Sequence, residues 1–258
     1  MLEIQTSNTQ TIQNPKSKIQ NPNVRVLLWD IDGTLLRSTR VGAFKEYFAP
    51  ALKEVYGSSG RLAEMSVSGM TDSQIAYEAL KSEGFSTEKI FSKIEDFAKT
   101  IGEKMSRHVS QQNEPYRLLP GAREILEAAS KNPRFVNALL TGNFGVAAEM
   151  KLKYFDLWKY FFDKPNTFGE ISHDRRELAR TAAKNINKFL KIELSNDQFV
   201  VIGDTPNDIA CARALGAKMV SVATGRNHPS EQLAEYKPDV LLEDLSDTKK
   251  VLQILEML

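Results

Sequence analysis

Of 258 residues only one, Cys211, is a cysteine. No disulfide can form within the chain, and a reducing cytoplasm is the expected setting. The roughly 18 or more consecutive apolar residues needed to cross a bilayer are also missing, as is an apolar leader near the start, so no membrane role is expected. Nor is there an excess of one charge. Lys and Arg number 34 against 33 Asp and Glu, a formal net charge of +1, which offers nucleic acid or an anionic membrane no basic surface. The three histidines, His108, His173 and His228, have no cysteine or carboxylate at zinc-ligand spacing. Neither a GxSxG elbow nor a GxxxxGK[ST] loop is present, which removes serine-hydrolase and P-loop readings.

Residues 1–23 are rich in Gln, Asn, Ser and Thr, and Ile12-Gln13-Asn14-Pro15 recurs as Ile19-Gln20-Asn21-Pro22. Too few large apolar residues are present to offset the entropy of ordering, so a disordered tail is expected. The pattern then changes. Residues 24–29 form a short, almost wholly apolar run, that of a strand buried on both faces, and it ends in Asp30 and Asp32 followed by Gly33 and Thr34. On a regular strand the two carboxylates would share a face. At about 4 Å, two like charges repel by about 4 kcal/mol at an effective dielectric of roughly 20. Protonation or a cation must offset that, and a hard, oxygen-seeking ion such as Mg²⁺ is the natural candidate.

Further apolar runs at 135–140, 199–202 and 218–223, with shorter ones at 160–162 and 240–242, alternate with helical patterns at 121–130, 145–154, 174–190 and from Pro206 to a stop at Gly216. Such alternation predicts an α/β fold with a doubly wound parallel sheet. Ligands bind such sheets at the carboxyl ends of the strands. Three of these ends carry polar residues: Asp30 and Asp32; Thr141; and Asp204 with Asp208. The helix after Thr141 is expected to aim backbone N–H groups at the same edge, favouring an anion. Residues 41–112 read as helices. Val41, Phe44, Phe48, Leu52 and Val55 share one face that Pro50 should kink or interrupt, Asp72 is a candidate cap, and Ser86 or Thr87 is another. A helical block directly after the first strand reads as an insertion, giving an expected division into a tail (1–23), an α/β core (24–40 and 114–258) and a helical unit (41–113).

Asp30-Ile31-Asp32-Gly33-Thr34-Leu35 resembles the DxDGT[LV] signature of the haloacid dehalogenase-like (HAD) hydrolases, most of them phosphatases, and Gly203-Asp204-Thr205-Pro206-Asn207-Asp208 resembles their acidic motif GDxxND. The resemblance implies strand order 3-2-1-4-5, with the helical insertion as a cap over the site. It implies that Asp30 is a nucleophile forming an aspartyl-phosphate, that Asp32 is the acid and base, and that Thr141, with Gly142 and Asn143, binds the phosphoryl group. Mg²⁺ would be held by Asp30, the backbone carbonyl of Asp32, and Asp204, with Asp208 acting through water or orienting a cation. Family members usually carry a Lys-Pro lysine upstream of the acidic motif. Here Lys164-Pro165 lies too far from Asp204, whereas His173-Asp174-Arg175-Arg176-Glu177-Leu178 resembles a variant beginning DRxEL. Arg175 is therefore the first choice, Arg176 the second and Lys164 the third.

The implied activity is a Mg²⁺-dependent phosphatase acting on a small phosphorylated metabolite. Asp32 argues against dehalogenase and phosphonatase members, which lack that second acid. A phosphosugar mutase of the β-phosphoglucomutase type shares the same residues and remains the alternative, with a non-catalytic binding protein on the same fold a third. Ser68-Gly69-Met70-Thr71-Asp72 is similar to the GxTD segment of phosphoglycolate-phosphatase relatives. Whether the protein is a monomer or a dimer is left open.

Overall fold

A computed structural model describes residues 24–258, so the expectation for the tail 1–23 lies outside the described residues. The chain begins with β1 (Arg25–Trp29) and a short β2 (Leu36–Ser38). Four helices follow: α1 (Lys45–Tyr56), α2 (Asp72–Leu80), α3 (Thr87–Phe91) and α4 (Ile94–Ser110). The chain returns through β3 (Tyr116–Leu118), which pairs antiparallel with β2, so the helical segment leaves and re-enters through one two-stranded ribbon. It continues as α5 (Ala122–Lys131), β4 (Phe135–Leu139), α6 (Gly145–Tyr154), α7 (Arg175–Leu190), β5 (Phe199–Gly203), α8 (Pro206–Leu215), β6 (Lys218–Val222), α9 (Ser230–Glu235), β7 (Val240–Leu242) and α10 (Thr248–Met257).

The main sheet is parallel, in the order β4-β1-β5-β6-β7. Its period of two sorts side chains between two cores. Leu27, Trp29, Val200 and Ile202 pack with Ile125, Ala148 and Leu255 from α5, α6 and α10. Val26, Leu28, Phe199 and Val201 face Leu178, Ala182, Ile209 and Leu233 from α7, α8 and α9. Helices on both faces of a parallel sheet are the doubly wound arrangement. Register decides where the polar ends fall. Trp29 lies beside Leu139 on one side and Ile202 on the other, so the residues after β1, β4 and β5 emerge at one edge.

The strand expected at 160–162 is not formed. A single 3-10 turn occupies Trp158–Tyr160, Phe161 is buried and Phe162 is 74% exposed. The sheet edge is met instead by an isolated parallel bridge between Leu140 and Thr167. Pro165 has no N–H to donate, and the Asn166 side chain takes over part of the pairing, its Oδ1 accepting from Leu139 N at 2.9 Å. The third position of the sheet is thus a one-residue contact.

Helix α1 also departs from expectation. Val41 is 85% exposed in a turn, and the buried stripe is Tyr47, Phe48, Ala51, Leu52 and Tyr56. The helix runs through Pro50 without interruption. Pro50 and Glu46, whose carbonyl loses a donor, both lie on the exposed side, where water can take the carbonyl. Among the described residues no helix is long and apolar enough to cross a membrane.

Candidate active site

Asp30 leaves β1 with its amide bonded to Ile202 O at 2.9 Å and its side chain almost fully buried. The chain then turns tightly, with Thr34, Leu35 and Leu36 all donating to Ile31 O and Gly33 donating back to Leu36 O at 2.8 Å. Gly33 has φ +91°, and a Cβ there would lie 2.2 Å from Asp204 Oδ2. Both conformation and space require glycine. Thr34 Oγ1 donates to Asp204 Oδ1 at 3.3 Å, tying the β1 turn to the end of β5.

Pro206 opens α8 at its first turn behind a Thr205 cap, as the fixed φ of proline favours. Asp208 Oδ2 accepts from Thr205 N (3.0 Å) and Oγ1 (2.6 Å), while Oδ1 accepts from Arg175 Nη2. Arg175 is the first residue of α7, behind Asp174, which caps the helix by accepting from Arg176 N. Its Nη2 also lies 3.1 Å from Asp30 Oδ1, and its Nη1 donates to Gly69 O at 3.0 Å. Of the three basic candidates only Arg175 reaches the acids. Arg176 pairs with Asp174 on the surface, and Lys164 pairs with Asp163.

Carboxylate oxygens of Asp30, Asp204 and Asp208 lie within 4.8 Å of one another. Burial pushes the Asp30 carboxyl up to about 7; Arg175 and a hydrogen bond from Thr141 pull it down, while Asp208 and Asp32 push it further up. Asp204 is raised too, first by burial and then by Asp208 and Asp30. One arginine therefore leaves these acids short of positive charge. Gly33 and Gly225 both back onto the Asp204 carboxylate, where a Cβ would come within 2.2 and 2.1 Å of Oδ2. An all-oxygen set short of positive charge is what a hard divalent cation fits.

On the other side of β1, Thr141 is fully buried and accepts from Asn143 N and Nδ2 at 3.3 and 2.9 Å. Asn143 Nδ2 also donates to Asp32 Oδ2 at 2.8 Å. Gly142 O accepts from Asp72 N at 2.7 Å, and a Cβ on Gly142 would lie 2.4 Å from Met70 O. Residues 70–72 thus press directly on the turn after β4. Thr71, not Asp72, caps α2. The Asp72 carboxylate crosses to accept from Phe144 N at 2.7 Å, and Glu170 accepts from Gly145 N at 2.6 Å. The expectation that the start of α6 offers N–H groups to an outside anion is corrected for these two. The protein's own carboxylates already occupy them.

Lys151 was not anticipated from the sequence. It is 5% exposed, and its Nζ lies 2.6 Å from both Asp32 Oδ2 and Asn143 Oδ1. Burial works against its charge, but Asp32, Tyr47 and Tyr116 together outweigh this and shift the ammonium above its ordinary range. A signal was present. Phe144, Ala147, Ala148, Lys151 and Leu152 share the helical spacing of one buried face, and a lysine in such a stripe needs a partner. Cys211 is buried, donates to Arg175 O at 3.1 Å, and is pushed by burial up to about 12, as befits packing rather than nucleophilic chemistry.

Asp30, Asp32, Asn143, Lys151, Arg175 and Asp204 floor a cavity of about 410 Å³ roofed by residues from the helical segment, among them Tyr47, Phe48 and Met70. Arg37, Lys45 and Arg226 also line it. They donate to backbone carbonyls of Thr224, of Ala63 and Met65, and of Ser38 and Thr39 respectively. A carboxylate shares none of these bonds, so these three bring positive charge to the cavity lining.

Sheet, strand-end acids and inserted helices together define a hydrolase of the haloacid dehalogenase-like kind. The model of that family matches residues 24–216, and the chain belongs to it. Among curated relatives, "Putative pyrophosphatase PpaX" of Caldanaerobacter subterraneus is 26% identical over 166 residues, 62% of this chain and 72% of that one. Among solved structures, a "predicted phosphoglycolate phosphatase" from Haemophilus somnus superposes with TM-score 0.59 at 21% identity, covering 90% of this chain and 99% of that one. A "putative beta-phosphoglucomutase" from Thermotoga maritima gives 0.54 at 22%, covering 90% and 100%. At these identities the structural likeness is one of fold.

Proposed function

We propose that this protein is a Mg²⁺-dependent phosphatase of a small phosphate monoester, acting through an aspartyl-phosphate on Asp30. The observation that carries the reading is the cluster of Asp30, Asp204 and Asp208, two of them (Asp30 and Asp208) paired with Arg175, with Asp32 two residues beyond Asp30 on the same cavity. The carboxylates of Asp30 and Asp204 and the backbone carbonyl of Asp32 would hold the ion. Asp208 commits both oxygens to Thr205 and Arg175, which suits it to fixing the arginine. When bound, Mg²⁺ supplies positive charge against the acids and the phosphoryl oxygens.

In the first half-reaction an Asp30 oxygen attacks phosphorus, the bond from phosphorus to the ester oxygen breaks, and Asp32 gives its proton to the leaving alkoxide. In the second, water attacks the phosphoryl group, gives its proton to Asp32, and the bond to Asp30 breaks. The sum is ester plus water to alcohol plus phosphate. Thr141 and Arg175 hold phosphoryl oxygens, and the helical segment 41–113 is the cap that keeps bulk water out. Arg37, Lys45 and Arg226 in the cavity lining suit an anionic substrate. The single, buried Cys211 supports a cytoplasmic setting.

The mutase reading keeps the same residues and replaces water by a sugar hydroxyl. It is supported by similar structures that carry that name. Phosphate release across a panel of small esters (phosphoglycolate, sugar phosphates, pyrophosphate, nucleotides), with Mg²⁺ and then with chelator, separates the readings. Selective, metal-dependent release is expected. Sugar-phosphate isomerisation without release would favour the mutase, and inertness toward every ester would overturn both.

A further inference from the structure

We propose that Lys151 is the positioning residue for Asp32, fixing one carboxylate oxygen so that the other faces the leaving group. The proposal rests on the phosphatase reading and adds to it a residue that the family signatures in this sequence do not include.

Asp32 needs an external restraint. It lies beyond the end of β1, in a turn, and its side chain is 41% exposed. A carboxylate there has free rotamers and water to solvate it. Two donors converge on its Oδ2: Lys151 Nζ at 2.6 Å and Asn143 Nδ2 at 2.8 Å. Lys151 also donates to Asn143 Oδ1 at 2.6 Å, closing a three-membered ring of side chains. Asn143 Nδ2 reaches Thr141 Oγ1 at 2.9 Å, so the ring is tied to the residue that faces Asp30. Among the described residues no donor reaches Asp32 Oδ1. One oxygen is held by charge-assisted bonds, and its twin is left open to the cavity.

Lys151 is suited to this by its own immobility. It emerges from the middle of α6, where its neighbours on the same face, Ala147, Ala148 and Leu152, are buried. A buried ammonium has little freedom to leave a partner, because no water can replace it. A solvated lysine would screen Asp32 without orienting it. Proton delivery depends on geometry first, with the acid within hydrogen-bond reach of the oxygen it protonates.

The test exploits the two demands on Asp32. An alkyl phosphate needs the acid in the first half-reaction. An aryl ester such as p-nitrophenyl phosphate releases a stable phenolate without it, and needs Asp32 only when water attacks. In Lys151→Met, matched in length and apolar, kcat for the best alkyl ester is expected to fall roughly 100-fold with KM within about 3-fold. The single-turnover burst of nitrophenolate should persist within about 3-fold, followed by slow steady turnover. Asp32→Asn should show the same split, and the double variant no further loss.

Equal losses in burst and alkyl turnover, a change confined to KM, or additive losses in the double variant would overturn the proposal. If Lys151→Met does not fold, Asn143→Ala, which removes the other donor to the same oxygen, should give the same split in weaker form. Uniform loss there would also count against it. An inactive wild-type protein would instead fail the phosphatase reading.

Discussion

Arg175 Nη2 lies 3.1 Å from Asp30 Oδ1, with both side chains some nine-tenths buried or more. The same nitrogen bonds Asp208, and the other terminal nitrogen reaches Gly69 O from the helical segment. One guanidinium thus joins the end of β1 and the first turn of α8 to the Gly69 loop. Its five donors in a rigid fork allow this, where a lysine has one point charge.

Removing that fork should be costly. Arg175→Met leaves Asp30 and Asp208 buried without their countercharge, and a loss of about 3–5 kcal/mol is expected for breaking such a group. Chemical denaturation reads it directly. Arg175→Lys should recover part of the stability and little of the activity. Arg176→Ala, which removes a surface partner of Asp174, should leave both unchanged.

Gly33 is expected to tolerate no side chain. In Gly33→Ala the methyl group would enter the Asp204 carboxylate and the positive φ would itself cost about 1–2 kcal/mol. A lowered unfolding midpoint with activity reduced beyond what the folded fraction explains is the expected pair of results.

Metal binding should be visible without turnover. Added to chelator-treated protein, Mg²⁺ should raise the thermal midpoint as it neutralises Asp30 and Asp204. At a hundred times the dissociation constant the stabilisation is about 2.7 kcal/mol. Asp204→Asn should abolish the shift.

Asp72 gives a pH dependence. Burial pushes its carboxyl up to about 7, against the downward pull of the Phe144 N–H and Lys151. Between its ordinary value of 3.8 and about 7 the folded protein holds a proton that the unfolded chain releases. Its contribution to stability therefore declines as pH rises through that window and levels off above it. In Asp72→Asn, whose amide oxygen can still accept from Phe144, this decline should vanish. The variant should gain on the wild type as pH rises from 4 to 7. Parallel stability curves would show that Asp72 does not titrate with folding.

How much of this was legible in sequence depends on range. The ends of β1, β4 and β5 could be read because an apolar run that stops at an acid or a threonine is a local pattern, and parallel register then brings those ends together. Arg175 was readable only through the likeness of Asp174-Arg175-Arg176-Glu177-Leu178 to a variant helix start. The missing third strand was not, because Asn166 replaces backbone pairing with a side chain, and no periodicity reports that. Lys151 and Asp72 were missed for a related reason. Lysine on a helix is by default solvated and Asp before a helix by default a local cap, and each is redirected here by a partner distant in sequence. The buried face of α6 held a clue to Lys151. Nothing local pointed from Asp72 to Phe144.

The central claim is that Asp30 is the attacking group, and the most direct measurement compares phosphate release by wild type and Asp30→Asn on the best ester found. Turnover should fall by roughly 10³-fold or more in the variant. In chelator the variant should unfold no earlier than the wild type, because the substitution removes a buried, repelled charge. A folded Asp30→Asn protein that still turns over the ester at a comparable rate would contradict the account.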